Sequence, residues 1–404
     1  DRNDSVTAWR GTCCERRTSA PDTQGDDQMH EARRPRSTRL LALLVATVVT
    51  AVSAACIPPD QPGPGGDGSV QVVETISGFT RPWDVQFTPD GVALVTERPG
   101  TLAALIEGER QVLGEVAGVA PLGEAGLMGL AVDPAFSTNR RIYTCQSTAT
   151  DVRVVRHRVL PGYTGFTDST PIVTGIDPGR GDRHHGCRVG FGPDGDLWVT
   201  TGDAARGSNP QDAQSLAGKV LRLRADGTPS PTNPGVANPA SGWHPLVHTI
   251  GHRNIQGLAF RPSDGAVFTA EHGPGCDDEI NRIVAGGNYG WNPIGLDGGY
   301  NELVPMTFAG GVTAAWSSGC PTIATSGATF LTGSLWGERQ GQLVVATLRD
   351  QALHMFDATG STVGGRERVL WGHGRLRSVA IGPDSTLWVT TDANNGSLLR
   401  VRPG

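Results

Sequence analysis

The chain has 404 residues and a formal charge of −6, with 34 basic residues set against 40 acidic ones. That balance excludes the basic excess of a nucleic-acid binder, and no basic run or stripe follows residue 55. Hydrophobic residues make up 37% while Gly and Pro number 56 and 28, a composition for many turns and short strands rather than long helices.

The first 28 residues are polar and charged without periodicity, and the chain does not open on Met. Translation is therefore expected to start at Met29, leaving 1–28 as an over-extended N-terminus. Arg33, Arg34, Arg36 and Arg39 then precede the apolar run LLALLVATVVTAVSAAC. A basic flank, a short apolar core and small residues before a cut describe a secretory signal over 29–55. The run is short for a transmembrane helix. Cys56 at its end resembles the lipidated cysteine of a bacterial lipoprotein, although Ser53 stands where that motif usually carries an aliphatic residue. Ordinary cleavage after Ala54 or Ala55 is the alternative. Either route exports the protein, to the extracellular space or the cell envelope. Residues 56–68 are rich in Pro and Gly and read as a linker.

After Cys56 the cysteines are Cys145, Cys187, Cys276 and Cys320. An even count in an exported chain favours disulfides, with three possible connectivities. The pairs Cys145–Cys187 and Cys276–Cys320 would each join neighbouring repeat units, and four free buried thiols are the alternative. No CxxC spacing points to a metal site.

A repeat runs from here to the C-terminus. FTPDGVALVTERPGTLAAL, VDPAFSTNRRIYTCQS, FGPDGDLWVTTGDA, FRPSDGAVFTAEHG and GPDSTLWVTTDANNGSLLRV each give an apolar strand, a turn and a second alternating strand. LWGERQGQLVVATLRDQALHMF is a weaker copy without the proline. The turns fall near residues 90, 135, 194, 264, 340 and 384, spacings that suit four-stranded blades with variable loops. The expected fold is all-β: one six-bladed β-propeller over 69–404, closed by Val70–Ile76 pairing with Leu398–Val401. That fold serves hydrolases, dehydrogenases, lectins and scaffolds alike, so function must be read from the loops.

Four loop clusters stand apart from the repeat. RHHGCR, Arg183–Arg188, holds paired histidines that could take a proton from a hydroxyl. GHRNIQGLAF offers Arg253, a planar donor fork, beside Asn254, which both donates and accepts. EHGPGCDDEINRIVAGGNYGW carries Asp277, Asp278 and Glu279 next to Gly/Pro turns, hard oxygen ligands of the kind calcium takes, or else a solvated acidic turn. Arg349, Arg375 and Arg377 are either surface charges or a convergent grip on a polyanionic small molecule.

In this order, RPWDVQFTPDG, GEAGLMGLAVDPAF, HHGCRVGFGPDG, GKVLRLRADGTPSPTNP, GHRNIQGLAF, GPGCDDEINRIVAGGNYGW and GRLRSVAIGPD resemble the quinoprotein glucose and aldose sugar dehydrogenases, from about Thr80 to Arg402. These enzymes use pyrroloquinoline quinone (PQQ) and calcium. The resemblance implies that His184 is the base that takes the C1 hydroxyl proton of an aldose, with His185 at a position the family varies. It further implies that Arg253 and Asn254 contact PQQ and that Arg349, Arg375 and Arg377 grip its three carboxylates. Carbonyls of Gly273 and Pro274 would hold the active-site Ca2+, and Glu279 and Tyr289 would bind a second, structural calcium. Glu124 and Arg183 fall on the substrate side, where the glucose enzyme has Gln and Asp, so the sugar is left open. Electrons would pass to an external acceptor. Two other readings stay open: a non-catalytic propeller binding a glycan or protein, and a calcium-dependent lactonase, which would want carboxylates and Asn around one central metal.

Overall fold

The computed structural model describes residues 65–179, 182–295 and 298–404. The expected signal segment 29–55 and Cys56 lie outside them. Six antiparallel sheets form a ring, each with four strands that follow one another in sequence save at the closure. Their first strands are Pro82–Phe87, Leu127–Val132, Gly186–Phe191, Ile255–Phe260, Thr325–Phe330 and Leu376–Ile381, which head blades 1 to 6 in that order. Each of these inner strands packs on the next, and the sixth returns to the first. The six-bladed propeller read from the repeat is therefore the fold.

The second strand of each blade explains the repeated phrase. Ala93–Glu97, Leu197–Thr201, Val267–Glu271, Leu343–Thr347 and Leu387–Thr391 are buried at every position, and Arg141–Ser147 at all but its first. A strand in mid-blade has both faces covered by neighbouring blades, so near-continuous apolar and Thr-rich runs such as LWVTT replace strict alternation. Outer strands meet water on one face and alternate, as in Val70–Phe79. There is no single central core. Six apolar clusters among the described residues each fill one blade–blade interface: Met128 and Tyr143 against Val199 and Leu221 between blades 2 and 3, Phe268 against Phe330 and Val345 between blades 4 and 5.

Closure uses the expected pairing and extends it. Val70 lies opposite Pro403, Val72 opposite Val401 and Ile76 opposite Leu398, and the ladder continues to Phe79 opposite Gly396. Gly65–Gly66 adds a two-residue edge to blade 5 beside Leu370 and Trp371. Both expected disulfides form. Cys145–Cys187 joins blades 2 and 3 as anticipated. Cys276–Cys320 does not span from blade to blade; it ties the loop after the second strand of blade 4 to the loop by which the chain leaves that blade. Among the described residues helices are few and short, the α-helices being single turns at Phe136–Asn139 and Pro234–Ala237.

Alternating strand directions put two kinds of loop on one face of the ring: those entering each blade and those joining its second and third strands. Every candidate residue except Tyr289 lies on these loops or at their strand junctions. The long connection 283–315 in blade 4 also reaches this face. It climbs beside blade 3, where Tyr289 N–H and Trp291 N–H donate to the carbonyls of Ile250 and Gly251.

Candidate active site

His184 precedes the inner strand of blade 3 with φ 61°, a left-handed conformation costly for a side chain with a Cβ. Three contacts hold it there. Its N–H donates to Glu124 Oε2 at 2.9 Å, its carbonyl accepts Ala204 N–H at 3.0 Å, and Gly202 lies so close that a Cβ would sit 2.0 Å from that carbonyl oxygen. The imidazole is 4% exposed, and its Nδ1 lies 2.8 Å from Asp203 Oδ1. Asp203, fully buried, also accepts Ala205 N–H at 2.8 Å, Trp291 Nε1–H at 2.7 Å and the Tyr300 hydroxyl at 2.8 Å. Burial and the Asp203 charge push the Tyr300 phenol above its ordinary range, so it remains a donor. An Asp carboxylate on Nδ1 fixes the proton there and leaves Nε2 as the acceptor, the tautomer a general base requires. His185 is also buried, with Nδ1 3.5 Å from Ser147 Oγ. It is not a rim residue.

Asn254 joins this loop to its neighbours: its Oδ1 accepts Gly186 N–H at 3.1 Å and its Nδ2 donates to Glu124 at 3.2 Å. Burial works against the Glu124 carboxylate, but His272, His184 with its N–H, and Arg377 outweigh it and hold its pKa below the usual value. Arg253 donates from Nη1 to the His272 carbonyl and from Nη2 to Glu302, each at 3.0 Å, while its buried Nε has no partner among the described residues.

Beyond Glu124 opens a cavity of about 360 Å³ lined by Arg81, Arg98, Arg375, Arg377, His272 and Asp392, with Glu124 and Gln256. Four guanidiniums face two carboxylates. Arg377 reaches Asp392 at 2.7 Å and Gln256 Oε1 at 2.8 Å, and Arg375 reaches Asp392 at 3.4 Å. Burial opposes the Asp392 charge, but Arg377 and Arg375 prevail and bring its pKa down to about 2. Arg98 is lowered instead, by burial and by the repulsion of Arg81, which marks an excess of positive charge. Arg377 Nε and His272 Nε2 are buried without hydrogen-bond partners among the described residues. Below the cavity, Arg188 crosses the axis to Asp84 at 2.6 Å and Ser378 at 3.0 Å, over the Trp83 ring.

Arg349 is not among the lining residues; its exposed guanidinium donates to Thr322 Oγ1 at 2.9 Å. Gly273 and Pro274 follow His272 in a turn folded around Asp278, whose Oδ1 accepts Gly273 N–H and whose Oδ2 accepts Ile323 and Ala324 N–H. Neither the Gly273 nor the Pro274 carbonyl accepts a bond from a described residue. Glu279 lies apart in blade 4. Burial first, then the neighbouring Glu271 charge, pushes its pKa up to about 8, and Asn281 Nδ2 donates to both carboxylates. The Tyr289 hydroxyl is spent on the backbone, donating to Arg282 O at 2.6 Å and accepting from Val284 N–H. Arg183 stands on the rim over the Tyr300 ring and pairs with Glu302 at 3.2 Å.

Sequence reasoning missed Asp203, His272, Arg81 and Arg98, although the motifs around them were in view. Tyr300 and Glu302 carried no motif at all.

The family model for glucose/sorbosone dehydrogenases matches residues 79–400. The chain belongs to that family. It is 30% identical over 339 residues to the aldose sugar dehydrogenase YliI of Escherichia coli, an alignment covering 80% of this chain and 90% of that one. Quinoprotein glucose dehydrogenase B of Acinetobacter calcoaceticus is 31% identical over 261 residues, 56% of this chain and 53% of that one. The PQQ-bound aldose sugar dehydrogenase of Streptomyces coelicolor superposes with a TM-score of 0.72 at 30% identity, covering 85% of this chain and all of that one. As a family member the protein is a dehydrogenase-type oxidoreductase.

Proposed function

We propose that this dehydrogenase oxidises an aldose at C1 to the lactone, with PQQ in the arginine-lined cavity, His184 as general base and an external electron acceptor. The observation that carries the reading is the juxtaposition of a buried, Asp-oriented imidazole with a cavity where four guanidiniums outnumber two carboxylates. A small tricarboxylate suits that excess, and Arg377 Nε, which has no partner among the described residues, is a donor it could satisfy. Arg375 and Arg377 would hold it, with Arg81 and Arg98 joining them. Arg349 would act at most at the mouth.

When bound, PQQ would supply a two-electron acceptor for the C1 hydride, and Ca2+ held by the Gly273 and Pro274 carbonyls would supply Lewis-acid polarisation. The protein's own work is proton management. His184 Nε2 takes the C1 hydroxyl proton, and Asp203 stabilises the imidazolium that results. Trp291 and Tyr300 keep Asp203 oriented and dry. Glu124 sets the position of the His184 backbone between base and cofactor cavity.

The residues also suit the second calcium. Glu279 and Glu271 form a buried carboxylate pair short of positive charge, and the buried Asn281 Oδ1 has no described partner. A hard cation at Glu279 and the Tyr289 carbonyl would supply that charge. Export is supported by the 29–55 pattern and by two disulfides, which persist in oxidising compartments; lipidation of Cys56 remains part of the proposal.

The test is reconstitution of the purified protein with PQQ and Ca2+, followed by aldose-dependent reduction of a redox dye. Activity on at least one sugar is expected. No activity across a sugar panel, with no change in quinone absorbance on mixing, would favour a propeller that only binds.

A further inference from the structure

The insertion 283–315 places a carboxylate in front of the base, and its surroundings define a recognition site. Glu302 Oε1 is 3.0 Å from Arg253 Nη2, 3.2 Å from Arg183 Nη1 and 3.9 Å from His184 Nε2. The last gap is too long for a hydrogen bond, and both groups are acceptors in any case once Nδ1 carries the imidazole proton. Among the described residues nothing donates to His184 Nε2 or to Glu302 Oε2. Two acceptors thus face one space with no donor between them, and an unfilled pair of this kind calls for a ligand with two adjacent donors.

Neighbouring hydroxyls of a sugar ring are such a pair. With each hydroxyl about 2.8 Å from its acceptor, a vicinal diol whose oxygens are themselves about 3 Å apart closes the figure between Nε2 and the Glu302 carboxylate. Resting on the aldose reading above, in which the C1 hydroxyl meets His184 Nε2, we propose that Glu302 binds the C2 hydroxyl and makes the enzyme selective for aldoses that carry one. Arg253, almost fully buried, fixes the carboxylate, so the acceptor is set in place before the sugar arrives. Arg183 is 45% exposed at its side chain and Glu302 30%, which keeps the pair within reach of substrate. The remaining N–H groups of Arg183 face the same rim and can donate to the sugar's oxygen atoms. A site built to accept from a hydroxyl discriminates against the analogue without it, because the acceptor is left unpaired.

The experiment measures kcat/KM for glucose and 2-deoxyglucose with the PQQ- and Ca2+-loaded protein, as wild type, Glu302→Ala and Glu302→Gln. Wild type should favour glucose at least tenfold. In Glu302→Ala the glucose value should fall at least tenfold further than the 2-deoxyglucose value, bringing the ratio toward one, with Glu302→Gln intermediate. Equal losses on both sugars, or an unchanged ratio, would overturn the assignment by showing a role confined to structure. Should the loaded wild type oxidise no aldose, the functional reading fails on its own. Saturation-transfer NMR of the same two sugars then decides the diol site: glucose bound in preference to 2-deoxyglucose supports it, and equal binding refutes it.

Discussion

Arg377 and Arg349 were equivalent candidates in sequence, both arginines late in the chain. They are not equivalent in space. Arg377 is buried between Gln256 and Asp392 with one nitrogen unspent, whereas Arg349 is exposed and donates to Thr322. Hydrogen bonds to a charged group are worth roughly 1.5–3 kcal/mol, about 10- to 100-fold in affinity. Arg377→Ala should therefore weaken PQQ binding by that factor in a fluorescence-quenching titration, and Arg349→Ala should leave it within about threefold. Equal losses would return Arg349 to the cofactor grip. The same scale shows what sequence could not supply. Arg81 opens blade 1 and Asp392 belongs to blade 6, and only ring closure brings them 3.6 Å apart. A motif search sees each within its own repeat and has no reason to pair them.

At the level of elements, the strands were legible and the insertion was not. LWVTT occurs twice, at 197–201 and 387–391, each time after a Pro-Asp turn, because both copies are second strands under the same two-sided burial. The 283–315 connection lies outside the repeat, as does the 224–246 connection at the same place in blade 3, so nothing in its pattern announced that Trp291, Tyr300 and Glu302 would converge on His184. The carboxylates beneath it give a metal prediction. Ca2+ added to chelator-treated protein should raise its melting temperature. Glu279→Gln should respond much less, while its metal-free form should melt no lower than metal-free wild type, since the amide is as neutral as the protonated acid that a pKa of about 8 leaves there at pH 7. An undiminished Ca2+ response in the variant would remove Glu279 from the site.

For the molecule as a whole, stability resides in six interfaces between blades, and two of these hold histidines buried without a charge partner. His157 sits between Thr144 and Ser169, and burial brings its pKa down to about 4. His248 sits between Asn233 and the edge of Trp198, and burial, then Arg222, brings it to about 4 as well. Both native pKa values lie below the unfolded value, so the unfolded chain binds more protons as pH falls from about 6.5 to 4. These two histidines should make stability decline within that window, by roughly 3 kcal/mol each, and contribute no slope above it. Urea unfolding across pH 4.5–7.5 would read this, and His157→Gln should show a shallower slope. A wild-type slope of zero would contradict it.

The central claim is that His184 takes the proton as hydride leaves C1. Anaerobic stopped-flow mixing of PQQ- and Ca2+-loaded protein with C1-deuterated and unlabelled aldose measures that step directly through the quinone absorbance. Wild type should bleach with a primary isotope effect, and His184→Ala, with PQQ still bound, should bleach about 10² to 10⁴ times more slowly. Bleaching at the wild-type rate in His184→Ala would contradict the claim.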